Sequence, residues 1–150
     1  MKRKPAADVF TDLVFEVFRI NGRILGAGER LTVEFDLTTA RWQVLGAVGI
    51  GGPQTVAQIA RYLGLQRQSV QRTVDLLAEE HCVLFKRNPN HARAKLVEIT
   101  LDGRQKLNQI GKRQIVWANR IVGDMPAQEI ADAVTVLRAL RERLENDEPA

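Results

Sequence analysis

The stretch Gln66-Arg67-Gln68-Ser69-Val70-Gln71-Arg72-Thr73-Val74-Asp75-Leu76-Leu77-Ala78-Glu79-Glu80-His81-Cys82 decides how this chain is read. Val70, Val74 and Leu77 recur at helical steps and predict the buried stripe of a helix running from about Gln66 to Cys82. Stepping about 100° per residue from Val70 puts Gln68, Gln71, Arg72 and Asp75 on the opposite face, with Arg67 and Ser69 flanking them at the amino end. That face carries no apolar residue. Arg and Gln side chains can each bond two atoms of a guanine or adenine edge in the major groove, which admits a helix, and the positive start of a helix also favours phosphate. The plain alternative is a solvated helix face.

Upstream, Thr55 and Gln58 have capping-box spacing, so a short helix is expected to begin at Thr55, carry Ile59, Ala60 and Leu63 on its inner side and end at Gly64. A small residue in the first helix and a glycine in the turn allow the close, steep crossing of a helix-turn-helix. Downstream, Val83 to Arg87 reads as a strand, Asn88-Pro89-Asn90 as a turn and Leu96 to Ile99 as a second strand, giving a hairpin whose tip carries His91 and Arg93. Laid along the neighbouring minor groove, such a tip brings Arg93 into a narrow, negative channel. Double-stranded DNA is therefore the expected partner. The candidate contacts are Thr55, Arg67, Gln68, Ser69, Gln71, Arg72, Lys86, Arg87, His91, Arg93 and Lys95.

Helical periodicity dominates both flanks. From Asp8 to Leu31, Phe10, Leu13, Val17, Ile20 and Ile24 form one stripe, and Gly22, Gly26 and Gly28 are expected to weaken its second half. Leu37, Thr38 and Trp42 have the order of a helix start, with Thr38 as cap and Leu37 stapled onto Trp42; that helix should fade from Gly49 to Pro53. After the hairpin, Thr100 can cap a long helix running to about Val122, with Leu107, Ile110, Gln114, Trp117 and Ile121 at helical steps. Pro126 suits the first position of a final helix bearing Ile130, Val134, Leu137 and Leu144, with Arg138/Glu142 and Arg141/Glu145 as exposed pairs. The tail after Asn146 is expected to fray.

Composition narrows the function. With 150 residues, 45% of them hydrophobic, the chain can bury a core. The net charge of +4 is uneven: Arg61 to Lys95 alone holds seven bases against three acids, so positive charge gathers where a polyanion would dock. No apolar run is long enough to cross a bilayer, and the basic start at Lys2, Arg3 and Lys4 leads into an amphipathic stretch rather than a signal segment, so the protein is expected to be cytoplasmic with no membrane partner. Cys82 is the lone cysteine and the two histidines lie far from other ligands, which leaves no disulfide framework and no metal spacing. Neither a phosphate loop nor a nucleophile-base arrangement is suggested, so no catalytic residue and no cofactor is assigned.

The segment Leu65 to Leu77, followed by Pro89 to Lys95 and by Leu96-Val97-Glu98-Ile99-Thr100-Leu101-Asp102-Gly103, closely resembles the multiple-antibiotic-resistance regulator (MarR) family. The resemblance covers most of the chain. It implies a mainly α fold with a small β-hairpin wing: a winged helix-turn-helix over residues 37–100, with an N-terminal helix (1–36) and C-terminal helices (101–150) joining two subunits. It also implies repression of transcription, relieved by a small ligand or an oxidant. Three positions depart from the family pattern. Gln66 stands where a capping Ser is frequent, and Cys82 is matched to a frequent Gly, which puts a left-handed turn there in doubt. The wing tip reads His91-Ala92-Arg93 where Asp-Arg-Arg is common, so Arg93 lacks its usual acidic brace.

By position in such a fold, Arg19, Arg23, Arg41, Trp42 and Gln114 are candidates to hold a small aromatic or anionic effector. Each has a plainer reading: salt bridges for the arginines, core for Trp42, and a register-fixing hydrogen bond for Gln114. Cys82 admits a redox-responsive regulator, but peroxide sensors of the family carry their cysteine near the chain start, and Glu79 and Glu80 give this thiol no help in ionising. A winged-helix module that holds a protein partner instead of DNA is the other alternative; a reading face without apolar anchors speaks against it.

Overall fold

The computed structural model describes residues 4–147, so Lys2, Arg3 and the end of the chain beyond Asp147 lie outside the described residues. Helix α1 (Pro5–Thr32) opens on proline, whose missing N–H is no loss in a first turn, with Asp8 beside the positive helix start. It runs unbroken through the three glycines. Gly28 explains part of this: a Cβ there would lie 2.6 Å from the Thr39 hydroxyl oxygen, so the glycine lets the start of the next helix approach. Thr39 uses that closeness. Its hydroxyl donates to the Leu25 carbonyl at 3.1 Å and its N–H to the Glu29 carboxylate at 2.9 Å. Tertiary bonding thus offsets the intrinsic helix cost of glycine, about 1 kcal/mol.

A 3-10 turn (Val33–Phe35) leads to α2 (Thr39–Gly51). Thr38 caps α2 by accepting from the Arg41 N–H, Leu37 is buried, and Trp42 packs against the core, as the cap-and-staple pattern predicts. Two residues, Gln54–Thr55, form β1, and Thr55 also caps α3 (Val56–Leu63) in a complete capping box with Gln58. Gly64, at φ 65°, ends α3 in the left-handed conformation that glycine adopts without strain.

Helix α4 (Arg67–Glu79) starts after Gln66, whose side chain makes no cap bond, in line with the weak cap expected there. It stops three residues before Cys82. The left-handed residue is His81, at φ 57°, which corrects the assignment of that turn to Cys82. The Cys82 N–H donates to the Leu77 carbonyl at 2.8 Å and the His81 N–H to the Ala78 carbonyl at 3.0 Å, the bond pattern of a Schellman motif. Cys82 is then the residue after the left-handed turn, whose side chain folds back onto the helix, and it is buried for that reason. His81 holds a conformation costly for an L side chain, so His81→Gly should stabilise the fold by about 1 kcal/mol in urea unfolding. No gain would show that His81 is not held left-handed.

Strands β2 (Val83–Lys86) and β3 (Leu96–Ile99) form the hairpin, and Arg87 falls just past β2 rather than within it. The sheet has a third strand that the sequence did not announce. β1 pairs with β3 antiparallel, Gln54 opposite Val97 and Thr55 opposite Leu96, giving the order β1-β3-β2. Alternation puts Val83 and Phe85 with Val97 and Ile99 on one face and Leu84 and Lys86 with Leu96 and Glu98 on the other. Thr100 ties the end of β3 to the next helix: its hydroxyl donates to the His81 carbonyl at 2.6 Å and accepts from the Gly103 N–H at 3.0 Å, capping α5 (Leu101–Val122).

The core joins Val44, Leu45 and Val48 of α2, Ile59 of α3, Val70, Val74 and Leu77 of α4, Val97 of β3 and Ile110 of α5. These belong to the first of two compact units, Met1–Gln114; the second is Ile115–Ala150. In the second unit, α6 (Ala127–Asp147) begins one residue after Pro126 and carries no buried residue. Arg141 bonds Glu145 at 2.7 Å as spaced, but Glu142 is approached by Arg141 rather than by Arg138. Exposed pairs of this kind are worth too little to enforce one choice.

Candidate nucleic-acid interface

With Val70, Val74 and Leu77 packed inward, the helical turn divides the exposed side of α4 into two flanks. Arg67, Gln71 and Asp75 lie on one; Ser69 and Arg72 lie on the other, and Gln68 is near the crest. All six are exposed. Between the first flank, the start of α3 and the hairpin runs a groove of about 320 Å3 lined by Thr55, Arg67, Gln71, Asp75, Phe85, Arg93 and Lys95. Five expected contacts therefore converge on one space: Thr55, Arg67, Gln71, Arg93 and Lys95. The Lys95 ammonium stands 5.9 Å from the centroid of the Phe85 ring, a cation-π distance that sets its aliphatic stem along the hairpin face. Because Gln66 supplies no cap, the first amides of α4 remain open to an external acceptor such as phosphate.

Other expected residues lie outside this groove. Lys86 is on the opposite hairpin face, ion-paired with Glu98 across the strands, so its charge is largely spent within the sheet. Strand alternation carried that signal, since Val83 is buried and Phe85, on the same side, lines the groove, which turns Lys86 with Leu84 to the other face. Arg87 and His91 are exposed beside the wing turn, and Gln68, Ser69 and Arg72 are exposed on α4 without lining the groove.

The wing tip is shaped by a residue that the sequence marks only as a turn former. Asn88 is buried, and its side-chain oxygen accepts the Asn90 N–H at 3.0 Å, closing an Asx turn just ahead of His91-Ala92-Arg93. Arg93 makes no ion pair among the described residues and is exposed. Asp75 and Phe85 also line the groove without being among the expected contacts. Asp75 accepts a hydrogen bond from the Gln71 amide nitrogen at 2.9 Å, a pair whose four-residue spacing is visible in the sequence.

The five effector candidates are dispersed. Arg19 pairs with Glu16 one turn away on α1, and Arg19, Arg23, Glu16 and Ile20 line a shallow depression on that helix. Arg41 is ion-paired with Glu80 at the end of α4, Trp42 is half-buried against the core, and Gln114 is exposed at the edge of the first unit. Burial pushes the Cys82 thiol up; Lys106 opposes that rise, and Glu80 and Asp102 add to it. The thiol is therefore held protonated inside the core, which is the wrong state for reaction with peroxide. Among the described residues no helix is long and apolar enough to cross a membrane, and no cluster of His, Cys, Asp or Glu could hold a metal.

Comparison with known proteins gives a consistent outcome. A family model described as the MarR family matches residues 35–94. An uncharacterised protein of Mycobacterium tuberculosis is 36% identical over 140 residues, spanning 92% of this chain and 91% of its own length. Among solved structures, a MarR family transcriptional regulator from Silicibacter pomeroyi superposes with a TM-score of 0.83 at 20% identity, over 95% of each chain. A mutant MarR of E. coli complexed with operator DNA superposes with a TM-score of 0.77 at 19% identity, over 92% of this chain and 99% of that one.

Proposed function

Because the chain belongs to the MarR family of DNA-binding transcription regulators, a family of regulators and not of enzymes, we propose that it acts as a homodimer reading a palindromic operator and repressing transcription from it. One observation carries this reading: Arg67, Gln71, Arg93 and Lys95, from a helix and a hairpin far apart in sequence, line a single groove with Thr55. A basic groove with an uncapped helix start at its edge suits the sugar-phosphate backbone, while α4 offers Gln and Arg side chains to base edges. The crystallised complex of the E. coli neighbour with operator DNA is consistent with that use of the fold.

Two subunits related by a twofold axis present two copies of α4, so the operator should be a pseudo-palindrome with half-sites about 10 base pairs apart. Large apolar side chains of α1 and of the second unit, among them Phe18, Ile20, Val116 and Ile121, are exposed in the single chain and support burial against another copy. Relief of repression by a small anion would begin at the α1 depression, where Arg23 makes no ion pair among the described residues while Arg19 is already paired with Glu16.

The test is selection from a random duplex library at two salt concentrations with wild type and Arg93→Ala. Wild type should recover a palindrome, and its affinity should fall steeply with salt. Arg93→Ala should weaken binding by about ten-fold and flatten the salt slope by about one charge. Recovery of no sequence with little salt dependence would refute the reading and leave a protein-binding winged helix in its place.

A further inference from the structure

An acid in a groove built for a polyanion needs an explanation. Asp75 lines the same space as Arg67, Arg93 and Lys95, and a carboxylate there opposes DNA by direct repulsion from phosphate. It is not there to neutralise a neighbouring cation, since the hydrogen bond it makes is with Gln71, an uncharged side chain, at 2.9 Å. A carboxylate only accepts, so the Gln71 amide must turn its nitrogen toward Asp75 and its carbonyl oxygen away. One amide hydrogen is used in that bond; the carbonyl oxygen and the second amide hydrogen stay free.

We propose that Asp75 is a positioning residue that sets the base preference of α4 by locking Gln71 in the orientation that reads adenine. This rests on the reading of α4 as the groove-entering helix. An adenine edge asks for one acceptor and one donor side by side, which is what the locked amide offers. A free glutamine presents both amide orientations and several rotamers, and loses that freedom on binding; here Asp75 reduces it in advance by favouring the orientation with the nitrogen toward the carboxylate. The acid therefore exchanges general affinity for selectivity: it repels every duplex alike and favours those with adenine opposite Gln71.

The experiment compares wild type, D75A, D75N, Q71A and the D75A/Q71A double variant, each by library selection and by titration against the best site and a random duplex. D75A should lose adenine preference by about five-fold or more at the same base pair where Q71A loses it, while its affinity for random duplex rises because an anion has gone. A variant that merely misfolded would bind both duplexes worse. D75N, whose amide donates as well as accepts and so no longer dictates which way the Gln71 amide turns, should lose much of the preference although it keeps a polar partner for Gln71, and the double variant should lose no more than Q71A alone. Preference retained in D75A, loss at a different base pair from Q71A, or additive losses in the double variant would overturn the assignment. A wild type that selects no sequence overturns the groove reading itself, and this role with it.

Discussion

Gly103→Ala is expected to destabilise the fold by about 3 kcal/mol and to lower Tm by about 10 °C, a large part of the stability of a domain this size. A Cβ on Gly103 would lie 2.1 Å from the Cys82 carbonyl oxygen and 3.0 Å from the Cys82 carbonyl carbon and the Ile99 side chain. The nearest obstacle is backbone, which cannot rotate aside as a side-chain tip can. That carbonyl also accepts the Thr100 N–H at 3.0 Å, and Thr100 in turn bonds the His81 carbonyl and caps α5 through the Gly103 N–H. The end of α4, the start of β2, the end of β3 and the first turn of α5 therefore meet within a few atoms of one glycine. An added methyl must lift α5 from Cys82, breaking the Thr100 bond and opening the core around Ile110. Urea unfolding monitored by tryptophan fluorescence measures the loss. A change under about 1 kcal/mol would mean that α5 does not approach Cys82 as closely as the structure places it.

Gly103 also marks where reading from sequence alone stops. Features written in neighbouring residues were legible: the Thr38 cap, the Thr55 and Gln58 box, and Gly64 as terminator each depend on groups within one helical turn. The stripe of Val70, Val74 and Leu77 fixed which side of α4 faces solvent for the same reason. Features that another segment creates were not legible. Gln54–Thr55 is a strand because β3 offers it a partner, and no alternation of its own says so. Helix α4 ends three residues short of the expected Cys82, and no glycine punctuates that end; His81 takes the left-handed position and Cys82 is drawn inward after it. Gly28 has the sequence signature of a weakness in α1, and only the packing of Thr39 against it reveals a close approach instead. In the candidate groove, residue types and the helical face were enough to name Arg67, Gln71, Arg93 and Lys95. Their convergence, and the inclusion of Asp75, required the third dimension.

Ile20→Glu is expected to turn the proposed dimer into a monomer and to weaken binding to a palindromic operator by about a hundred-fold or more, because the second half-site no longer binds within the same molecule. In the single chain Ile20 is 57% exposed, on the same stripe as Val17 and Ile24, and α1 buries only Ala27, Gly28 and Thr32 near its carboxyl end. A 28-residue amphipathic helix with its apolar side open to water lacks the packing from which such helices take most of their stability. If the protein works as a monomer, glutamate at an exposed helical site is harmless, since its helix propensity is no worse than that of isoleucine. If two copies join along α1, the substitution enters a twofold interface twice and buries two carboxylates, a cost of several kcal/mol that pairing with the neighbouring Arg23 only partly offsets. Light scattering reports the oligomer, and anisotropy titrations with full and half operators report the DNA. Half-site affinity should stay within about two-fold of wild type because α4 is untouched, and Ile20→Leu, of similar volume, should remain dimeric. An Ile20→Glu protein that stays dimeric and holds the full operator as wild type does would place the interface elsewhere than on this stripe of α1.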